Sequence, residues 1–210
     1  MRLVALISGG GRTLLNLQDR IESGELPCRV EVVVSSRSDA PGVSRARSRG
    51  LRVEVVDHRV LGESAAHAAL DAVLAGAGAD LVCCCGWLRW LRLRPSDRGR
   101  VVNIHPSLLP RFGGRGMYGD RVHGAVLSSG ASYTGCTVHF VDEAYDHGPV
   151  ILQRACRVEP GDDVSSLSAR VFGLECAAYP AALCALASGR VRLEGDRAVW
   201  SGSSAGGVDQ

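Results

Sequence analysis

Short, continuous apolar runs recur along this chain, separated by segments with helical spacing. Residues 3–7, 29–35, 51–56, 81–85 and 101–104 read as five strands. A continuous run of this kind suits a strand covered on both faces. Residues 12–20, 43–48 and 65–74 read as the helices between them, the first turning Leu14, Leu15 and Leu17 toward the sheet and the second closed by Gly50. Strand–helix alternation predicts a doubly wound, Rossmann-like α/β domain with a mostly parallel sheet. Further along, residues 118–129 read as a helix ended by Gly130. Residues 134–141 and 150–158 read as an antiparallel extension of the sheet, 164–187 as a long helix, and 190–193 with 197–200 as a hairpin around Gly195. Residues 1–200 are expected to form one domain, and the Ser- and Gly-rich stretch 201–210 a disordered tail.

A chain of 210 residues, 46% apolar, can bury most of its apolar surface in one core. No run approaches the roughly 18 apolar residues of a membrane span, so no membrane partner is expected. Met1-Arg2 leads straight into an apolar strand, without the cleavage region of a signal peptide. The formal charge of +2 is too small to argue for nucleic acid. Of the eight cysteines, Cys83, Cys84 and Cys85 are consecutive in one strand and alternate between its faces, so they cannot clamp a metal. The others are scattered. Reduced thiols in a cytoplasmic protein, with neither disulfides nor metal, are expected.

Function is written most densely in residues 103–110, Asn-Ile-His-Pro-Ser-Leu-Leu-Pro. Residues i and i+2 of a strand share a face, so Asn103 and His105 converge where the fifth strand ends. Pro106 and Pro110 stiffen the exit. An amide that steadies an oxyanion, beside an imidazole that moves a proton, suits acyl transfer. A second polar segment, residues 139–149, follows Thr137-Val138 and brings Asp146 just before Gly148-Pro149, which reads as a tight loop. Two polar loops after two strands build a site at the carboxyl edge of an α/β sheet. Gly9-Gly10-Gly11 supplies backbone N–H groups at a helix N-terminus, a ready anion site. The turn lacks the full dinucleotide fingerprint, so NAD is not expected.

These segments resemble the folate-dependent formyltransferases. The family pattern is Asn-x-His-Pro-Ser-Leu-Leu-Pro, Gly-Met-Tyr-Gly with a Val-His helix, Thr-Val-His-Phe-Val, and an Asp-x-Gly-Pro loop. In this chain these are residues 103–110, 116–119, Val122-His123, 137–141 and 146–149. Ile7-Ser8-Gly9, Ser35-x-Arg37-x-Asp39-Ala40, Gly86-Trp87-Leu88-Arg89, and Ala169-Arg170-Val171 followed by Glu175 and Tyr179-Pro180 match as well. The likeness spans residues 1 to about 200 and is closest to the members acting on glycinamide ribonucleotide.

The resemblance implies formyl transfer from 10-formyltetrahydrofolate, as co-substrate, to a primary amine in purine biosynthesis, with no metal. It implies that Asn103 donates to the oxyanion, that His105 stabilises the same intermediate and relays a proton, and that Asp146 holds His105 charged. It sets the pterin against Leu88, Arg89, Trp90, Leu91, Val141, Asp142 and Asp146. It sets a phosphoribosyl amine against Gly10, Gly11, Arg12, Thr13, Pro106 and Glu175. The expected partners are these two small molecules, and the expected state is a monomer or homodimer. Two features depart from the family. Relatives commonly carry Gly-Ser-Asn at Gly11-Arg12-Thr13, and often a polar side chain where Phe172 stands. These departures keep open a second reading, a folate-dependent formyltransferase acting on another amine such as an amino sugar nucleotide.

Overall fold

The computed structural model describes residues 1–201. Nine strands and six helices follow one another as β1 (Arg2–Ile7), α1 (Arg12–Glu22), β2 (Arg29–Ser35), α2 (Pro41–Ser48), β3 (Val53–Val55), α3 (His58–Leu61), α4 (Glu63–Ala77), β4 (Leu81–Cys84), β5 (Val101–His105), α5 (Asp120–Ser128), β6 (Tyr133–Phe140), β7 (Val150–Arg157), α6 (Val164–Ala187), β8 (Val191–Glu194) and β9 (Arg197–Trp200). Seven strands form one sheet in the order β3-β2-β1-β4-β5-β6-β7. The pairs from β3 to β5 are parallel, and β6 and β7 run antiparallel to their neighbours. The expected doubly wound sheet with an antiparallel extension is therefore the observed one. Because β1 lies between β2 and β4, the strand order reverses beside β1. The crevice at the carboxyl ends of β1 and β4 is where such sheets bind ligands.

The sheet separates two apolar layers. Cys83 and Cys85 belong to the layer beneath α1, α5 and α6, and Cys84 to the layer beneath α4, so the three consecutive thiols alternate faces. All eight cysteines are free, and burial pushes the Cys84 thiol up to about 12, where it is no nucleophile. At the far edge, β7 buries only Ile151 fully and shows Arg154 and Arg157 to solvent. Charged side chains on an edge discourage further pairing.

Several boundaries differ from those read in the sequence. Strand β3 keeps only three residues, since the chain turns into α3, a one-turn helix that the sequence did not signal. Asp57 caps α3 by accepting the Arg59 N–H at 3.0 Å. Helix α4 starts at Glu63, and α5 starts only at Asp120 because Gly116 and Gly119 hold positive φ. The predicted tail lies, apart from Ser201, outside the described residues.

The expectation that nothing is long and apolar enough to span a membrane fails for α6. By length and hydropathy its 24 residues meet that criterion. Its apolar side chains are spent on packing instead: Leu167, Val171, Ala178, Tyr179, Ala182 and Leu183 are buried in the core. Asp163 starts the helix with a reciprocal cap, accepting from Ser166 N at 2.7 Å while its own N–H donates to Ser166 Oγ at 3.0 Å. The Tyr179 hydroxyl lies 3.2 Å from the carbonyls of both Cys84 and Val102. That contact locks α6 beneath the ends of β4 and β5.

Two glycines test this packing with opposite signs. A Cβ on Gly135 of β6 would lie 1.9 Å from the Arg154 carbonyl oxygen across the β6–β7 pair. Gly135→Ala should destabilise the protein by about 1–3 kcal/mol in denaturant melts. Gly76, in α4, has nothing within 4 Å of a built Cβ. Gly76→Ala should instead stabilise by about 0.5–1 kcal/mol. Equal effects of the two would contradict the packing described.

Candidate functional site

Three loops meet at the carboxyl edge. The turn after β1 is tied to the loop after β4 by Ser8, whose N–H donates to Gly86 O at 3.0 Å and whose Oγ accepts from Leu88 N at 2.9 Å. Ser36 Oγ donates to Ser8 Oγ at 2.7 Å, joining the loop after β2. The loop after β5 is pinned to the sheet. Thr137 Oγ1 donates to Ser107 O at 2.7 Å and accepts from Leu109 N at 3.1 Å, and Gln153 Nε2 donates to Leu109 O at 3.0 Å. Ser107 Oγ donates to Arg111 O at 2.6 Å, which makes it a holder of the loop. Each of these polar groups is buried or half-buried, so losing one partner leaves an unsatisfied group that costs about 1–3 kcal/mol.

Asn103, His105 and Asp146 come together on this frame. His105 Nε2 lies 2.8 Å from Phe112 O. A carbonyl only accepts, so Nε2 carries the proton and Nδ1 faces Asp146 Oδ2 at 3.4 Å. Asp146 Oδ2 also accepts from Gly114 N at 3.0 Å. Asn103 Nδ2 donates to His139 Nε2 at 3.2 Å and leans toward Asp146 Oδ1 at 3.4 Å. Among the described residues, Phe112 and Asp146 are the non-glycine residues with positive φ, at 58° and 54°. Both touch His105. Left-handed backbone costs a non-glycine residue of order 1–3 kcal/mol and tends to gather at functional sites.

His139 was not among the residues expected at the site. In the sequence it stands in Thr-Val-His-Phe-Val at the head of the second polar segment, with no role of its own assigned to it. It is 1% exposed, and burial pushes its imidazole below the ordinary histidine value, against the raising effect of its bond to Phe140 O. Its Nδ1 donates to that carbonyl at 2.8 Å. The neutral ring then offers Nε2 as an acceptor, which fixes the rotation of the Asn103 amide. The register pairing of Asn103 with His139 across β5 and β6 brings the two together. His123, on α5, is a second addition. It is 3% exposed, its Nδ1 has no partner, and burial pushes its protonation down.

One cavity of about 910 Å³ runs along the edge. Gly10, Gly11, Arg12 and Thr13 line one end, with Glu175 and Phe172 of α6 nearby; Asn103, His105, Pro106, His123 and Asp146 line the middle. Leu88, Arg89 and Trp90 line the other end. A smaller recess of about 70 Å³, shared by Arg89, Trp90, Asn103 and Asp146, reaches Val141, Asp142 and Leu91. Leu91, expected against the pterin, lines this recess from the core side. It is 7% exposed and packs in the core layer beneath α4, so it offers the recess little surface. The Asp142 carboxylate is occupied within its own loop, accepting from Ala144 N at 2.9 Å and facing His147 Nδ1 at 2.7 Å. Among the described residues no group of His, Cys, Asp or Glu is arranged to hold a metal ion.

Burial raises the Glu175 carboxyl to about 7, although the Arg12 guanidinium opposes the shift. A carboxyl whose pKa is higher folded than unfolded keeps its proton longer in the folded state. Folding stability therefore falls as the pH rises from about 4.5 toward about 7. Glu175→Gln removes this dependence. The melting temperature of the variant minus that of the wild type should grow across that window and level off above it. Parallel melting curves at every pH would refute the shifted carboxyl.

Comparison with known proteins matches this geometry. The sequence model of the formyl transferase family fits residues 1–183. The trifunctional purine biosynthetic protein adenosine-3 of Bos taurus is 40% identical over 95% of this chain, which spans only 20% of that protein. Phosphoribosylglycinamide formyltransferase of Haemophilus influenzae is 30% identical over 97% of this chain and 95% of its own length. Among solved structures, glycinamide ribonucleotide transformylase 1 of Symbiobacterium toebii superposes with a TM-score of 0.87 at 40% identity, covering 95% of this chain and 93% of that one. The chain is a member of the formyl transferase family, in the branch of the phosphoribosylglycinamide formyltransferases.

Proposed function

We propose that this chain transfers the formyl group of 10-formyltetrahydrofolate to the amine of glycinamide ribonucleotide. The observation that carries this reading is the convergence of Asn103, His105 and Asp146 on the middle of a single elongated cavity. Its volume of about 910 Å³ is in the range of sites that enclose sizeable ligands. One end carries an anion-binding turn and the other an aromatic and apolar loop, as a phosphoribosyl amine and a pterin require.

The acceptor's free amine attacks the formyl carbon. A carbon–nitrogen bond forms and the carbonyl oxygen gains negative charge. The Asn103 amide, aimed by His139, donates to that oxygen, an effect typically worth ~10²–10³ in rate. His105 uses Nδ1, the nitrogen not held by Phe112, to stabilise the intermediate and hand on a proton, typically ~10²–10⁴. Asp146 steadies the charge His105 acquires. The bond from the formyl carbon to N10 then breaks, and the proton shed by the amine ends on N10. Nothing in the sequence of steps needs a nucleophilic side chain, and the raised thiols beneath the site are inert.

The test is formyl transfer from 10-formyltetrahydrofolate to glycinamide ribonucleotide, with amino sugar nucleotides run alongside. Transfer only to the sugar nucleotides would replace the proposed acceptor. Asn103→Ala and His105→Ala should each lower kcat roughly 10²-fold with smaller effects on KM. Gly113→Ala should also lower kcat, because its Cβ would lie 3.1 Å from the Asp146 Cβ and 2.5 Å from Leu109 Cδ2. An Asp146→Asn enzyme with near-normal kcat would remove the carboxylate from the mechanism.

A further inference from the structure

Two of the positions at which the chain departs from its family touch each other. Arg12 opens α1, Phe172 lies on α6, and the Arg12 Cζ sits 4.0 Å from the centre of the Phe172 ring. The contact stacks a guanidinium against an aromatic ring. Stacking engages the face of the guanidinium and leaves the N–H donors at its edge free. Arg12 forms no ion pair with another described residue, and its charge is felt by Glu175 and by His123. The neighbouring cation Arg45 is committed to the turn itself, where its Nη1 donates to Gly10 O at 2.8 Å.

Three further observations point to an anion here. Helix α1 begins at Gly11 with φ 73° and no side-chain cap, so its first N–H groups have no side-chain acceptor. These groups, Arg12 and Phe172 line the same cavity. His123 is buried in the wall of that cavity with Nδ1 unpartnered, as a group that a ligand completes. A free arginine loses rotamer freedom when it grips an anion, whereas one already held loses less.

We propose that Phe172 is a positioning residue for Arg12. It holds the guanidinium edge toward the acceptor's phosphate at the start of α1, and the pair makes the chain select phosphorylated acceptors over their dephosphorylated counterparts. The inference rests on the acceptor end of the reading above and assigns its charge recognition to an α1 cation steadied from α6.

Kinetics with glycinamide ribonucleotide and with its dephosphorylated ribonucleoside test it, for wild type, Arg12→Ala, Phe172→Leu and the double variant. Leucine keeps apolar bulk and helix propensity but has no aromatic face. Arg12→Ala should raise KM for the ribonucleotide about 10- to 200-fold. Phe172→Leu should raise it about 2- to 5-fold. In each variant the loss should be larger for the ribonucleotide than for the ribonucleoside, with the KM for the folate close to that of the wild type. The double variant should be no worse than Arg12→Ala, because Phe172 acts through Arg12. Losses that multiply in the double variant, or a Phe172→Leu loss equal for both acceptors, would reduce Phe172 to packing and overturn the proposal. Should wild type transfer no formyl group to either acceptor, the functional reading fails separately. Calorimetric binding of ribose 5-phosphate then decides the pair: weakening by both substitutions supports it, and unchanged binding overturns it.

Discussion

The Asp146 carboxylate is the point at which separate stretches of chain are drawn together. One oxygen accepts from Gly114 N and faces His105, and the other is the second neighbour of the Asn103 amide. A carboxylate this enclosed must find compensation for lost water. It finds it only if the loops after β5 and β6 are both closed. The same closure needs Gly113, whose missing side chain admits Asp146, and Gly148, where a Cβ would lie 2.0 Å from Phe140 O. The positive φ at Asp146 and at Phe112 puts backbone strain at the two residues that flank the His105 ring nitrogens.

Beneath these loops the sheet supplies rigidity through a few buried polar ties. Thr137 and Gln153 fasten the loop after β5, Ser8 fastens the turns after β1 and β4, and the Tyr179 hydroxyl fastens α6 to the strand ends. Each tie joins residues distant in sequence. Their combined effect is that side chains at the carboxyl edge stand on strand ends and pinned loops, which keeps their positions close to fixed.

What the sequence disclosed follows from which interactions are local. The i, i+2 rule put Asn103 and His105 on one face, and strand–helix alternation fixed the sheet's architecture. Helix α6 was legible residue for residue, because its cap and its apolar length are local features. What stayed hidden was nonlocal. The role of His139 depends on β5–β6 register, which a strand of Thr, Val, His and Phe does not announce. Arg12 and Phe172 each stood out as unusual, but nothing in a linear chain says that they stack, one near its start and the other in its last long helix. The burial of α6 against β6 and β7 accounts for its apolar composition.

The centre built from Asn103, His105, His139 and Asp146 belongs to the β5–β6 ladder and its loops, whereas Arg12, Phe172 and Glu175 stand on α1 and α6. This division separates two kinds of inherited change. In the proposed reading, substitutions on those helix surfaces bear on the acceptor end and leave the residues of the ladder in place, because no hydrogen bond of the ladder runs through those helix positions. Arg12 and Phe172, in contact across α1 and α6, are the pair on which the proposed acceptor selectivity turns. A lineage built this way can broaden or shift its diet of acceptors by small steps without passing through an inactive ancestor.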